Sequence, residues 1–474
     1  MKFLFSLTVS FAAGILLLNA QTWNLQQCID HALENNLQVR QAELNTELSK
    51  SLRDQSIAGF LPSLNGSASQ NHYFGRSIDP ITNAFTTNEV RSNSFNLSSS
   101  LSVFEGFQLQ NTLRQSSLSF LSSRYDLQKI RNDISLNVVT LYLQALYTKE
   151  LELAASEQLE ATRFQKDRVN RMFELGSLSK SALLEIEAQF AADELRQIQA
   201  RNNYEQSLLN LAQLLELPSV KDFSIQDPML SDPSLPAEAL TTEKVYAQAL
   251  GTQPEIMSYD LKAQSAQKGL AVARGGRYPR LLVTGNINTN FSTSGQEITG
   301  YNVGIPSSVF SGFTSSGDSV YSIVPNTTPI FERTAFRDQL DNNLSRAVGF
   351  SLQIPIFNGW AVKTNVSRAR INLEQARLNL DQTKKNLYKS VQQAVLDAAA
   401  ASQKFNASKK SNAAQEESYK INSQRFELGL VSSYEFLQAK NLLAASRAEL
   451  LQSKYDFIFR LKVIDFYMGK KLTF

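Results

Sequence analysis

The chain has 474 residues, 42% of them hydrophobic and 19% charged, with a formal net charge of +3. Lys and Arg are spread among Asp and Glu, which excludes a nucleic-acid surface built on a basic stripe. One cysteine, Cys28, and two isolated histidines, His31 and His72, exclude an intrachain disulfide framework, a zinc or haem spacing and a catalytic triad, so neither a cofactor nor a catalytic residue is expected.

Residues 1–20 read as a secretory signal peptide: Met1-Lys2, an apolar run from Phe3 to Leu18, then Asn19-Ala20 before Gln21. The run is short for a membrane anchor. Gln26 and Gln27 precede Cys28, where a lipoprotein site would need small residues. Beyond residue 20 no stretch of 18 apolar residues occurs, so a membrane-embedded mature chain must be a β-barrel.

From Thr22 to Ala58 there is no Gly or Pro, and Leu25, Cys28, Ile29, Ala32 and Leu33 keep helical spacing. Gly59, Pro62 and Gly66 end that pattern, and the period changes to two. Phe95, Leu97, Leu101 and Val103 alternate with Asn96, Ser98, Ser100 and Ser102, which predicts a strand over 94–104 with one apolar and one polar face. A second strand is predicted over 63–73, with a turn-rich loop around Asp79-Pro80 between them. From Phe107 to Leu175 Gly and Pro are again absent, a helix of roughly 100 Å. Leu127, Ile130, Ile134, Val138, Leu141 and Ala145 step by three or four, the seam of a coiled coil. Gly176 interrupts the run, and helix returns from Ser177 to Leu217. Residues 218–236, with Pro218, Pro228, Pro233 and Pro236, read as a linker.

The second half, 237–469, repeats the first, 21–217. Ala32-Leu33 matches Ala249-Leu250 and Pro62 matches Pro279 at an offset of 217. Phe104-Glu105-Gly106-Phe107 matches Phe357-Asn358-Gly359-Trp360 at an offset of 253, which then holds through Gly429. Strands are predicted over 280–292 and 344–356, with a long exposed loop between them. Trp360 to Leu428 is a second long helix, and 470–474 is a tail. The two hairpin tips read Arg171-Met172-Phe173-Glu174-Leu175-Gly176 and Arg425-Phe426-Glu427-Leu428-Gly429; a lone Gly after a long helical pattern marks a C-cap and reversal.

Four strands per chain cannot close a transmembrane barrel, whose smallest size is about eight. An open sheet edge in lipid leaves backbone groups unsatisfied, so the barrel must be shared between chains, eight strands in a dimer or twelve in a trimer. A pore-free periplasmic coiled coil or surface adhesin is the alternative reading; the four amphipathic strands and the signal peptide count against it.

The duplicated layout, the Phe-x-Gly strand-to-helix junctions and the Glu-Leu-Gly tips resemble the TolC family of outer-membrane efflux proteins, over essentially the whole mature chain. The resemblance implies a mainly α chain with a transmembrane β part. It implies a homotrimer with a shared twelve-stranded barrel in outer-membrane lipid and a periplasmic α-barrel of long helices. It also implies a passive exit duct for efflux or type I secretion, docked on a periplasmic adaptor and an inner-membrane pump. By the same resemblance Leu175, Gly176, Ser177, Leu178, Ser179 and Leu428, Gly429, Leu430, Val431, Ser432 fall at adaptor-contact positions. The family's aperture acids, six and nine positions after the tip Gly, fall on Glu435 and Gln438 in the second copy and on Ala182 and Glu185 in the first. A ring of three such carboxylates favours cations. The family's tip Tyr and Arg fall on Phe426 and Val431. Phe104, Gly106, Phe107, Phe357, Gly359 and Trp360 form the junctions, the aromatics serving as an interfacial belt or as local packing.

Overall fold

The structure, a computed structural model, describes residues 22–78, 83–86, 89–220, 223–228, 231–234 and 241–473. The predicted signal peptide, Asp79-Pro80 and Pro236 lie outside the described residues. The elements in chain order are β1 (Thr22–Trp23), α1 (Leu25–Asn35), α2 (Leu37–Ala58), β2 (Ser63–Tyr73), β3 (Ser77–Ile78), β4 (Phe85–Thr86), β5 (Val90–Glu105), α3 (Gln108–Glu174), α4 (Lys180–Leu214), β6 (Ser224–Ile225) and α5 (Thr242–Thr252). There follow α6 (Pro254–Gly275), β7 (Arg280–Ser292), β8 (Gln296–Val303), β9 (Ser307–Phe313), β10 (Ser319–Val324), β11 (Thr327–Arg333), α7 (Phe336–Asn342), β12 (Ser345–Gln353), α8 (Ala361–Glu427) and α9 (Ser433–Tyr467).

The repeat is exact in the lengths of four helix pairs. α1 and α5 have 11 residues each, α2 and α6 22, α3 and α8 67, and α4 and α9 35. The predicted helix over 22–58 is broken at Asn36, which caps α1 in an extended conformation while its side-chain Oδ1 accepts from the Gln38 N–H at 2.9 Å. The repeat-related position is Gln253, directly before Pro254, where Pro occupies the first helical position and disfavours helix in the residue before it. Thus the break is written plainly only in the second copy.

The chain divides into two compact units, and neither follows the repeat boundary: each draws on both halves. One comprises the segments ending at Ser51, Ser117–Ala266 and from Asn372 onward; the other comprises Leu52–Ser116 and Gln267–Ile371. In the first unit the seam residues Ile134, Val138, Val139, Tyr142, Leu146, Leu211 and Leu215 pack into a core with Leu25, Cys28 and Ala32. The 218–236 segment adds to that core through Phe223 and Ile225, and β6 pairs in parallel with β1. Tyr142 donates its hydroxyl to the Gln226 carbonyl at 2.7 Å. Two-residue strands leave no periodic signal, so this pairing was invisible in the sequence.

The second unit holds a four-stranded antiparallel sheet in the order β12-β7-β5-β2. The register pairs Phe95 with Ala68 and Thr289, Leu97 with Gly66 and Ile287, and Val283 with Leu101 and Phe350. That face is apolar. The opposite face aligns Ser67, Asn96 and Asn288, then Asn65, Ser98, Asn286 and Ala347, then Ser63, Ser100, Thr284 and Gly349. Ser63 and Ser100 share a hydroxyl hydrogen bond of 2.8 Å, as do Ser69 and Ser94 at 2.7 Å. β5 is longer than predicted, beginning at Val90. β12 stops at Gln353 rather than 356 because Pro355 has no N–H for a ladder and restricts Ile354 before it.

The predicted loop between β7 and β12 is instead a β-hairpin in two segments, followed by α7. β8 pairs with β11, and β9 with β10. Bulges at Thr299 and Ser311, together with Gly304, Pro306 and Pro325, interrupt the alternation that would have revealed it.

Candidate functional site: the hairpin tips and the strand-to-helix junctions

Both tips are built the same way. At the first, Gly176 has φ +74°, its N–H bonds the Phe173 carbonyl at 2.9 Å, and the Ser177 N–H bonds the Met172 carbonyl at 2.8 Å. At the second, Gly429 has φ +72°, with Gly429 to Phe426 at 3.0 Å and Leu430 to Arg425 at 2.9 Å. This crossed pair of bonds closes the helix C-terminus around a left-handed residue that Gly adopts without penalty. Ser179 and Ser432 then cap the returning helices, their Oγ atoms accepting from the Ala182 and Glu435 N–H groups. Leu175, Leu428 and Leu430 are exposed, as are Ser177, Ser179 and Ser432, while Leu178 and Val431 are half-buried. The first tip therefore presents Leu175 to solvent, and the second presents Leu428 and Leu430.

The acids at the tips are engaged locally. Glu435 closes a capping box: its Oε2 accepts from the Ser432 N–H at 3.1 Å while Ser432 Oγ accepts from the Glu435 N–H at 3.3 Å. Ala182 stands at the equivalent place in the first copy, so that tip has no box. Glu185 accepts from Ser433 Oγ at 2.5 Å and from Ser181 Oγ at 3.3 Å, which brings its carboxylate to the first turn of α9. Arg168 faces Glu427 at 3.7 Å. Gln438 is exposed. Phe426 stacks on Phe436, with centroids 4.8 Å apart and planes at 18°, and so packs within its own hairpin.

Behind the tips lies a cluster that sequence reasoning missed. Asp193 is 1% exposed and Lys440 4%. Lys440 Nζ donates to Thr162 Oγ1 at 2.6 Å, and Thr162 Oγ1 donates to Asp193 Oδ2 at 2.6 Å. Asp193 Oδ1 accepts from Gln189 at 2.9 Å and Arg196 at 3.0 Å. Burial holds the Lys440 ammonium below its usual pKa, and the Asp193 charge opposes that shift. The cluster ties α3 and α4 to α9. Its signal in the sequence was a lysine on a seam otherwise made of Phe436, Ala439 and Leu443.

The junctions repeat as well. Gly106 and Phe107 have φ +60° and +61°, and Gly359 and Trp360 have +60° and +66°. Two consecutive left-handed residues, the second of them aromatic, swing each strand into its helix. Phe104 and Phe107 meet edge to face at 5.3 Å, and Lys363 Nζ lies 3.5 Å from the Trp360 ring centroid. Phe107, Phe357 and Trp360 are exposed in the single chain. Among the described residues, no cluster of His, Cys, Asp and Glu could hold a metal ion, and no helix is long and apolar enough to cross a membrane.

No curated relative matches the chain significantly. Solved structures do. CusC, whose crystal structures follow the conformational changes of folding and transmembrane channel formation, aligns with a TM-score of 0.73 at 19% identity, over 94% of this chain and 92% of that one. The CmeC outer membrane channel of Campylobacter jejuni aligns at 0.72 and 19%, over 95% and 87%. The outer membrane protein VceC of Vibrio cholerae aligns at 0.73 and 14%, over 95% and 97%. At these identities the likeness establishes the fold, a TolC-like channel fold. The family model for outer membrane efflux proteins matches residues 28–216 and 245–469, both copies of the repeat. The chain therefore belongs to the outer membrane efflux protein family, and it is an outer-membrane exit channel.

Proposed function

We propose that three copies close their sheets into one twelve-stranded barrel, and that this trimer is the outer-membrane end of a tripartite efflux or type I secretion system. The observation that carries the assembly is the sheet β12-β7-β5-β2. Its edge strands β12 and β2 have no partner among the described residues, and an open edge in lipid is not tolerated. β12 runs antiparallel to β2, so joining one copy's β12 to the next copy's β2 continues the alternation around a ring. Three copies, rather than two, leave an aqueous lumen. The apolar face of Leu97, Val283 and Phe350 meets lipid, and the Ser, Asn and Thr face lines the pore. The exposed leucines of the two tips suit contact with a periplasmic adaptor, which couples the duct to an inner-membrane pump. The duct itself is a passive conduit. Heat-resistant trimers on semi-native gels, with conductance in planar bilayers, test this reading; a stable monomer without conductance would refute it.

In this arrangement the β7–β12 hairpin and the turn near Asn83 face the exterior. Cysteines introduced at Ser315 or Asn83 are expected to react with a membrane-impermeant thiol reagent on intact cells. The native Cys28 will not interfere, since it is buried and burial pushes its thiol up to about 12. Labelling at positions 176 and 429, with none at 315 and 83, would invert the topology.

Glu435 and Glu185, near the tips, form the acidic aperture in this reading, with Gln438 beside them and Phe426 and Val431 as its apolar part. The barrel's polar face carries no charged side chain along Ser63–Asn71, Ser92–Ser102, Thr284–Ser292 or Ser345–Ser351. Charge selectivity should therefore come from the tips. Glu435→Gln with Glu185→Gln keeps the capping box, because Gln serves at that position, and removes the charges. The double variant is expected to lose most of its cation preference and its block by multivalent cations in single-channel recordings. Unchanged selectivity and block would remove both acids from the aperture.

A further inference from the structure

The hairpin between β7 and β12 has two unlike faces. Its returning arm, β10 and β11, is regular, and both bulges fall on the outgoing arm. Within each of the two segments the odd-numbered residues of the returning arm and their register partners therefore share one face. Nearer the sheet that face carries Ile298, Tyr301, Val303 and Phe331; nearer the tip it carries Phe310, Phe313, Tyr321 and Ile323. These eight side chains are 47–77% exposed. The other face has no aromatic side chain; it carries Val309, Val320, Val324 and Ile330, and near the sheet it places Glu297 directly opposite Glu332. Like charges across a ladder repel, and that cost is tolerable only in water. So near the sheet the acid-bearing face is the solvated one, and all five aromatic side chains of the two ladders stand on the opposite face, the one built to be covered.

The hairpin is also anchored. Gln339 of α7, buried, accepts from the Ser292 N–H at 3.0 Å and donates to the Ser292 and Thr334 carbonyls at 3.0 and 2.9 Å. Phe336 packs on Phe291 at 4.9 Å, and Asn343 donates to the Asn290 carbonyl at 2.9 Å. A two-stranded ribbon with both faces in water is marginally stable. A ribbon held firmly at its base and apolar along one face needs an occupant for that face.

We propose that the occupant is the same face of the other copies: in the trimer the three hairpins associate through Tyr301, Phe310, Tyr321 and Phe331 into an apolar crown at the outer mouth of the barrel. This rests on the trimeric reading above. Three observations select a second copy over a lipid surface or a foreign protein. The hairpin is inserted beside β12, the edge strand through which neighbouring copies join, so assembly gathers three identical faces at high effective concentration. The apolar face has roughly 1,000 Å² available from eight side chains of this size, about one partner's share of a stable interface. The hairpin's charged residues, Glu297, Asp318, Glu332 and Arg333, are mainly acidic, which disfavours an anionic headgroup layer.

Cysteine substitution at small residues tests the crown without disturbing the ribbon. Ser308 and Thr327 lie on the apolar face, and Ser322 and Thr328 on the acid-bearing face. In purified trimers, Ser308→Cys and Thr327→Cys are expected to give covalent dimers on mild oxidation and to react with a soluble maleimide at least tenfold more slowly than Ser322→Cys and Thr328→Cys. A panel of cysteine pairs joining β2 to β12, for example Ser67→Cys with Ala347→Cys, reports the barrel seam. Seam cross-links without hairpin cross-links, with equal maleimide rates on both faces, would overturn the crown and leave the trimer standing. That face would then be free for lipid or a foreign protein. Loss of cross-links at both places would overturn the crown and the trimer together.

Discussion

Gly106→Ala is expected to abolish heat-resistant assembly, while Gly359→Ala at the repeat-related position reduces it only partly. Both glycines have φ +60°, so any side chain costs about 1–2 kcal/mol at either place. The surroundings differ. A Cβ on Gly106 would stand 2.4 Å from the Gly275 carbonyl oxygen and 2.7 Å from Tyr278 Cβ, whereas one on Gly359 meets nothing within 4 Å. Gly275 is itself constrained, since its own added Cβ would reach the Gly106 carbonyl oxygen at 2.7 Å. The two backbones approach because neither residue has a side chain, and a carbonyl oxygen in a helix end cannot move aside as a flexible side chain could. The clash adds to the conformational cost, and a loss above about 4 kcal/mol follows from the combination. The check is trimer yield on semi-native gels after expression at equal levels. Equal yields from the two variants would show that conformation alone, and not the close approach to Gly275, makes the junction need glycine.

The second large effect lies behind the tips. Asp193→Ala is expected to destabilise the helical unit by about 3–5 kcal/mol, the usual cost of leaving one member of a buried charged pair behind. Lys440 would remain 4% exposed with only a threonine hydroxyl for a partner. Lys440→Met should cost less, because Asp193 keeps Arg196, Gln189 and Thr162. The pH dependence carries its own signature. The Lys440 pKa is depressed in the folded chain, so unfolding takes up a proton in the interval between that depressed value and the ordinary lysine range. Stability therefore rises with pH across that interval, and Lys440→Met should flatten the rise. Thermal unfolding of the detergent-solubilised protein, followed by circular dichroism at several pH values, measures both. An Asp193→Ala variant as stable as the parent would show that the cluster is incidental to holding α9 against α3 and α4.

Much of the chain was legible without coordinates because its dominant elements are long and repeated. A 67-residue helix without Gly or Pro needs no tertiary information to be recognised, and seeing it twice at an offset of 253 residues locates both tips. Gly176 and Gly429 are forced by backbone geometry, since a left-handed residue must end each helix. The amphipathic strands at 94–104 and 344–356 were equally plain, because a sheet with lipid on one side and water on the other imposes a period of two; 63–73, with few apolar residues, showed it more weakly. Sequence alone thus determined the fold class, the duplication and the outer-membrane address. Tertiary structure decided what depends on partners distant in the chain. It turned the region 296–333 into a ribbon, because pairing tolerates bulges that destroy periodicity along a single strand. It placed Phe223 and Ile225 in the core through β1 and β6, whose two residues each are too few to show any period. And it assembled Thr162, Asp193 and Lys440, separated by up to 278 residues, into one buried network. A charge on a helix face reads as solvated until the helix packed against it is known, since burial belongs to the pair of surfaces and not to either sequence by itself.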